Sequence, residues 1–407
     1  MCNKLRFIVL QTGAMRHYLV PAALARVGML EQFYTDTCGN VGIFNLLNCF
    51  YPDSLQPSIV KRLFGRRIPD EIKELTTTLN FAEVLKFLAL PMVKYKTSTL
   101  SSHLMIEALR KKIIGKDFLE ANAIYTWHNS DVDLAKRAKD KGLFVVHDQY
   151  INADVGYILD EEKKRYPGIE SQMNPQKLKE GKSRDFQKWE ISDLIIAPSE
   201  FVRDSIVRAG GDVNKITVLP FGLNSDWLGT VPNPVPGRVL SVGSVGLRKG
   251  HHYLAKATRI LKDRKVPSEV RVVGSLNRQI LAHPEFHGPN YIGKIPRSEI
   301  KSEFLKADIF VLPTLSDSFA IAHLEAMACG LPVITTPNCG SLVRDGKDGF
   351  IVPIRDPRTL ADRIQLLLQD RSLRKQMSSN ARARASDYTW ETYGERLIDS
   401  LKVLTNR

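Results

Sequence analysis

Ser316-Asp317-Ser318-Phe319-Ala320-Ile321-Ala322-His323-Leu324-Glu325-Ala326-Met327-Ala328-Cys329-Gly330-Leu331-Pro332-Val333-Ile334 carries two carboxylates eight positions apart. Small residues follow the first. A helix-compatible run holds the second, and Gly-Leu-Pro then precedes an apolar strand. This order places Asp317 in a loop at a helix N-terminus. It places Glu325 about two turns along the helix, at ~3.6 residues per turn. Both side chains can then face one cavity. The free N–H groups of a helix N-terminus favour an anion there. Two acids beside an anion site suit a ligand with phosphate at one end and hydroxyls at the other, as in a nucleotide-sugar.

Strand-like and helix-like runs alternate on both sides of this stretch. Arg6–Gln11, Phe33–Thr35, Ala123–Trp127, Phe144–His147, Leu194–Pro198 and Ile216–Pro220 read as strands, with helices at Tyr18–Val27, Asp131–Lys141 and 199–209. Gly229-Thr230-Val231-Pro232-Asn233-Pro234-Val235-Pro236-Gly237 reads as an interdomain linker, since Pro and Gly interrupt both periodicities. A second series follows. Its strands are Arg238–Val242, Glu269–Val273, Ile309–Leu312 and Pro332–Thr335. Its helices are Tyr253–Lys262, Ser298–Lys306, Ile321–Ala328 and Thr359–Gln369, and Trp390–Leu404 also has helical periodicity. Such alternation predicts an α/β protein of two Rossmann-like, doubly wound domains facing a cleft. Ligands in such sheets bind beyond the carboxyl ends of the strands.

The chain has 407 residues, enough for two or three domains. No apolar run reaches the ~18 residues of a membrane span. The apolar stretch near the N-terminus is too short for a signal peptide and reads as a first buried strand. Cys2, Cys38, Cys49, Cys329 and Cys339 show no paired spacing. That argues against a disulfide framework or zinc site and fits a reducing cytoplasm. A net charge of +14 implies an anionic partner, although a solvated surface alone also accounts for it. No helix-turn-helix, RNA-binding signature or zinc finger is present, so nucleic acid is not the expected partner. Residues 40–116 mix Pro, apolar patches and basic clusters. Val60–Ile68 and Phe81–Val93 combine cations with Phe and Leu, a pattern that can lie on an anionic membrane surface. An ordinary helical pair packed on the core is the alternative.

Val242-Gly243-Ser244-Val245-Gly246-Leu247-Arg248-Lys249-Gly250 ends a strand in a Gly-rich turn with two cations. Glycine allows close approach of backbone to phosphate. Arg248 and Lys249 are placed to neutralise a leaving diphosphate. In the first domain, Gly13 follows the first strand and would admit a phosphate or sugar near a helix N-terminus. His147 ends a strand and is expected to point into the cleft, where imidazole can bind a sugar or accept a proton. His128 sits similarly and is expected to be structural. No Asp-x-Asp motif with metal-ligand character stands out, so neither a metal nor another cofactor is expected.

The ordered motifs resemble the retaining glycosyltransferases of family four. Val239–Leu254 is similar to that family's "VGR…KG…L" segment, and Arg271-Val272-Val273-Gly274-Ser275 to its "VGxG" strand. Tyr291–Pro296 with Phe304–Pro313 resembles "GxVP…ADxFVxPS". Asp317 to Glu325 resembles the Glu-x7-Glu motif, and Asn338-Cys339-Gly340 with 348–352 resembles the "GG…E…GxLV" ending. Asp193–Val202 and Val218–Asn224 are like "ADxVIAxSExV" and "VIPNGVD". The likeness covers most of residues 120–390. It implies the two-Rossmann-domain glycosyltransferase B fold. Residues 1–224 would form the acceptor domain and 225–387 the nucleotide-sugar domain, with 388–407 packing back on the first. It implies that Glu325 binds ribose hydroxyls and that Asp317 holds sugar hydroxyls. Phe319, Ala320 and Ile321 would offer N–H groups, and Gly243, Ser244, Arg248, Lys249 and Gly274 would surround the diphosphate. Ile295 would lie near the base. Glu190 matches an acidic position and His147 the histidine near the acceptor.

Four positions depart from the pattern. Asp317 is shorter than the usual Glu, Ser318 and Ala320 replace glycines, and Ser244 replaces an Arg, so Arg248 is expected to supply that charge. The expected activity is metal-independent, retaining hexosyl transfer from a UDP- or GDP-sugar to a saccharide or lipid-linked acceptor. It belongs to cell-surface polysaccharide or glycolipid synthesis, in the cytoplasm or peripherally at the inner membrane face. The alternative is a catalytically weak or inactive binding protein, motivated by Asp317, Ser318 and Ala320.

Overall fold

Phe7-Ile8-Val9-Leu10 is buried along its whole length and forms β1 at the centre of the first sheet. An apolar run buried on both faces is the signature of a parallel strand covered by helices. The computed structural model describes residues 4–41, 65–79, 97–128 and 132–406, with backbone alone over 97–103. Around β1 stand β2 (Leu30–Thr35), β3 (Thr76–Thr78), β4 (Ala123–Trp127), β5 (Phe144–Asp148), β6 (Leu194–Ala197) and β7 (Ile216–Val218). They pair in the order β3-β2-β1-β4-β5-β6-β7, and every pairing is parallel.

The second sheet holds β8 (Arg238–Val242), β9 (Glu269–Val273), β10 (Asn290–Gly293), β11 (Ile309–Val311), β12 (Val333–Thr335) and β13 (Gly349–Ile351). Its order is β10-β9-β8-β11-β12-β13, again parallel. Two Rossmann-like domains are therefore present, as the alternation predicts. The strands not singled out as such in the sequence are β3, β10 and β13, each short and carrying Thr or Gly rather than an apolar run. In each sheet the strand order reverses beside the first strand, between β1 and β4 and between β8 and β11. Loops leaving the carboxyl ends at these points frame the ligand crevice.

The chain leaves the first domain at 219–223. Leu219 N–H still donates to Ala197 of β6, whereas Leu223 and Trp227 already lie in the second core. The return crossing runs alongside: Leu223 N–H donates to Tyr388 O and Trp390 N–H to Leu223 O. A side chain on Gly222 would meet Thr389 O at 2.3 Å, so glycine is what allows the two crossings to touch. The Pro-rich stretch is not the crossing. Asn233 and Val235 donate backbone bonds to Leu305 and Lys306, which fasten it along the second domain. The helix Trp390–Lys402 docks on the first domain, burying Tyr393, Leu397 and Leu401 in one cluster with Phe7 and Val9.

Among the described residues no helix is long and apolar enough to cross a membrane. Most of Val60–Ile68 and all of Phe81–Val93 lie outside the described residues, as do Lys94 and Lys96. Of the basic positions that are described, Arg66 pairs with Asp36 at 2.6 Å, Arg110 with Glu107 and Asp133, and Lys111 with Glu107 at 3.4 Å.

Candidate functional site

Gly243 follows β8, and the chain then loops over the carboxyl edge before the helix His251–Asp263. This loop can sit low because glycines stand beside one another at the ends of three strands. Gly243 N–H donates to Val273 O, and Gly274 N–H donates to Gly293 O. A Cβ on Gly274 would lie 1.9 Å from Gly243 O. Ser244 is exposed, with its hydroxyl 2.8 Å from Ser275. Arg248 and Lys249 follow. The backbone carbonyl of Arg248 accepts from Leu315 N–H and Thr314 Oγ1, which ties this loop to the one after β11.

The two cations meet Asp317 here. Lys249 Nζ donates to Asp317 Oδ2, and Arg248 Nη1 lies 3.7 Å from Oδ1 and donates to Ser316 O at 3.0 Å. Asp317 is held in turn through its backbone: its N–H donates to Asn338 O and its carbonyl accepts from Gly340 N–H at 2.7 Å. The reading of Arg248, Lys249 and Asp317 as one cluster thus rests on geometry as well as motif. One expectation changes. Ala320 N–H donates to Gly340 O at 3.1 Å, so it is not open to a ligand. The N–H groups of Phe319 and Ile321 have no such partner among the described residues.

Glu325 lies in the helix Ile321–Ala328 with its side chain only 5% exposed. Burial pushes its carboxyl above the usual range, and Arg297 opposes that by pairing with Oε1 at 2.5 Å. Ile295 packs against the same core, two residues before Arg297.

First-domain groups reach this loop from across the cleft. Asn152 N–H donates to Ser318 Oγ at 2.8 Å, and Ser199 Oγ donates to Ser318 O at 2.7 Å. The Phe221 ring at the crossing lies 5.2 Å from Phe319. Phe221 also carries the Arg16 guanidinium at 4.2 Å. Arg16 forms a two-bond pair with buried Asp148 and donates to Tyr393 Oη at 2.6 Å. Arg16, His17 and Tyr18 all have positive φ, at 47°, 51° and 62°. Non-glycine residues adopt that region at a cost, and here the ion pair and ring contacts hold them.

Two first-domain expectations are corrected. Gly13 N–H donates to Asp36 Oδ1 at 3.0 Å, and the left-handed turn at 16–18 separates it from the helix Leu19–Arg26. It therefore offers no helix N-terminus to an anion. His147 does not point into the cleft. It is 1% exposed, with Nδ1 3.2 Å from Thr126 Oγ1 and Nε2 3.0 Å from Gln149 Oε1. Burial, reinforced by Lys188, holds its pKa well below the usual range. His128 is partly buried, near Gln149 and Asp185, as a structural histidine would be.

Arg297, Arg16 and an interdomain carboxylate, Glu162, were not legible in the sequence. Glu162 sits in Asp160-Glu161-Glu162-Lys163-Lys164-Arg165, which reads as a solvated helix face. Its side chain is in fact fully buried. Oε1 lies 2.9 Å from His252 Nε2 and accepts from Tyr253 Oη at 2.7 Å, and Oε2 accepts from Arg355 Nε at 2.7 Å. Burial acts to raise its pKa, but these three second-domain donors outweigh it and bring the carboxyl down to about 2. Glu170, further along the same segment, accepts from Leu247 N–H in the Gly-rich loop at 2.9 Å. Glu162→Ala leaves the buried donors His252 and Tyr253, and the partly buried Arg355, without this acceptor. It is expected to lower unfolding free energy by about 3–5 kcal/mol, measured by urea denaturation.

Residues 232–384 match the family model described as glycosyl transferases group 1. A D-inositol 3-phosphate glycosyltransferase of Paenarthrobacter aurescens is 28% identical over 64% of this chain and 67% of its own. The capsular polysaccharide biosynthesis glycosyltransferase CapM of Staphylococcus aureus is 30% identical over 48% of this chain and 59% of its own. For another D-inositol 3-phosphate glycosyltransferase, from Corynebacterium urealyticum, the chain spans about half the length, 52%. Among solved structures, sucrose-phosphate synthase of Thermosynechococcus elongatus superposes with TM-score 0.66 at 19% identity, covering 98% of this chain and 99% of that one. Anabaena HepE, solved with UDP and glucose, gives TM-score 0.60 at 15% identity, covering 98% and 99%. Residues 232–384 are thus similar to the glycosyl transferases group 1, and the whole chain has the two-domain glycosyltransferase B fold.

Proposed function

We propose that the protein is a retaining glycosyltransferase of family four. In this reading it moves a hexose from a UDP- or GDP-sugar to a hydroxyl of a saccharide or lipid-linked acceptor, in cell-surface polysaccharide or glycolipid synthesis. The observation that carries the reading is the Arg248–Lys249–Asp317 cluster, set beside buried Glu325 at the carboxyl ends of β8 and β11. The relatives named for polysaccharide and inositol phosphate glycosylation support it, as do fold neighbours solved with UDP and a sugar.

In the proposed mechanism the donor diphosphate enters over Gly243 and Gly274, where no side chain stands in the way. Arg248 and Lys249 exchange Asp317 for the phosphates and gain attraction as negative charge builds on the leaving group. A cation that is more strongly bound in the transition state than in the ground state lowers the barrier. Asp317, released from Lys249, accepts from sugar hydroxyls, and the N–H groups of Phe319 and Ile321 donate to the sugar-phosphate. Glu325 accepts from ribose. The two cations take the charge-neutralising role, so no metal is required. The acceptor attacks from the first-domain side, and the departing phosphate takes its proton. An acceptor bound at the inner membrane face suits the positive net charge.

The Lys249–Asp317 pair and the occupied Ala320 N–H also favour a second reading, a binding protein whose site is satisfied by its own residues. A thermal-shift screen with UDP-, GDP-, ADP- and TDP-sugars tests both. One donor should raise the melting temperature, since ligand at ~100-fold its dissociation constant adds about 2.7 kcal/mol of stability. Nucleotide diphosphate should then be released on adding acceptor saccharides. Binding without release supports the second reading, and no binding by any donor overturns both.

A further inference from the structure

Glu325 is a carboxylate in an almost closed setting, and its surroundings say how its charge is kept. Its side chain is 5% exposed, whereas that of Arg297 is 70% exposed. Arg297 reaches in from the first turn of the helix Arg297–Leu305 and touches Oε1 alone, with its guanidinium 5.7 Å from the Trp227 ring. Among the described residues it is the ion pair Glu325 makes. The neighbouring titratable groups on Glu325's own helix are uncharged at neutral pH. Burial pushes the Cys329 thiol up to about 11 and brings His323 down to about 3. From the facing helix, Lys301 is turned away and donates to Asp226 O.

We propose that Arg297 is the positioning residue for nucleotide recognition: it fixes one oxygen of Glu325 and leaves Oε2 to accept from a ribose hydroxyl. This rests on the reading of Glu325 as the ribose anchor. A buried carboxylate without a partner favours its neutral form. The hydrogen bond it offers ribose is then weaker, because charge-assisted bonds are about twice as strong as neutral ones. An exposed arginine is well suited to this task. It supplies charge to the buried acid from outside, and the nucleotide can approach without displacing a core residue. Removing it leaves the fold intact but moves the ionisation of Glu325 toward the working range of pH.

The test measures binding of UDP and 2′,3′-dideoxy-UDP by calorimetry between pH 6 and 8, or of the GDP pair if GDP is the nucleotide that binds. Wild-type protein is expected to prefer the ribose form at every pH. Arg297→Ala should bind UDP about 10-fold more weakly at pH 6 than at pH 8, with the dideoxy form little affected. Arg297→Lys should restore the flat profile, which a purely structural role would not require. Glu325→Gln separates the two claims. If it still prefers ribose as strongly as wild type, the ribose-anchor reading fails. If it loses that preference while Arg297→Ala binds like wild type at all pH values, Arg297 positioning alone is overturned.

Discussion

Lys249→Ala is expected to lower sugar transfer by ~10²-fold or more in kcat, the scale of losing one preorganised partner of transition-state charge. The ground for this is the position of Lys249. Its side chain is 13% exposed, and its stem packs 3.6 Å from where a Cβ of Gly243 would stand. The ammonium is therefore held at the floor of the crevice and does not sweep through solvent. In the free protein it spends its charge on Asp317. A leaving diphosphate carries more charge than one carboxylate, so the exchange favours the transition state. Arg248 remains in the variant but is more exposed and 3.7 Å from the acid, so it compensates only in part. Donor KM should change less than kcat, and circular dichroism should report an intact fold. Nucleotide diphosphate release by a coupled assay measures the loss, and near-normal kcat would refute the assignment.

Glu325→Ala is expected to act on the same scale, ~10²-fold or more in kcat/KM, but through nucleotide binding. As the proposed ribose anchor, Glu325 would stand remote from the bond that breaks, so its contacts would be made in the ground state as well as in the transition state. Such uniform binding appears mainly in KM. Binding energy spent at the ribose also helps orient the diphosphate toward Lys249, so kcat should fall to a lesser degree. Truncation removes a buried charge together with its desolvation cost, and exposed Arg297 is simply left to solvent. Stability should therefore change little, in contrast to Glu162→Ala, which strips an acceptor from the buried His252 and Tyr253. A variant with unaltered donor KM and kcat would refute the role.

The two alanine variants thus separate the charge-neutralising role proposed for Lys249, the partner of Asp317, from the anchoring role proposed for Glu325 at the far end of the Asp317–Glu325 stretch. The same stretch shows how far residue order carries. Small residues after Asp317 and an unbroken apolar helix around Glu325 are local facts, and the loop–helix geometry followed from them. Gly243 reads in the sequence as a phosphate-loop glycine, and Gly274 joins it through the family resemblance. That each lies against the other's backbone is not legible there, because it depends on β8 and β9 being neighbours.

The first-domain expectations turned out differently. His147 does end its strand as expected, but alternation along β5 turned it into the interior against Thr126, on the neighbouring strand. Gly13 lost its N–H to Asp36, and the helix start after it was displaced by three left-handed residues held by Arg16. A βα turn has the same sequence signature whether its N–H groups are free or taken. Only the partner's position, 23 residues away, decides.

The family resemblance implied the return of the last helix and the meeting of Arg248 and Lys249 with Asp317; residue order alone gave the alternation of strands and helices, the two-domain division and the charged loop residues themselves. These depend on periodicity and on glycine, proline and charge at short spacing, which are properties of neighbouring residues. Tertiary structure alone decided where the chain crosses between domains, that Glu162 is a buried clamp, and that Arg297 keeps company with Glu325. Those are pairings over tens to hundreds of positions. A charged residue in a polar run looks the same whether water or a second domain surrounds it, and burial, which sets the strength of a charge, exists only once the chain has folded.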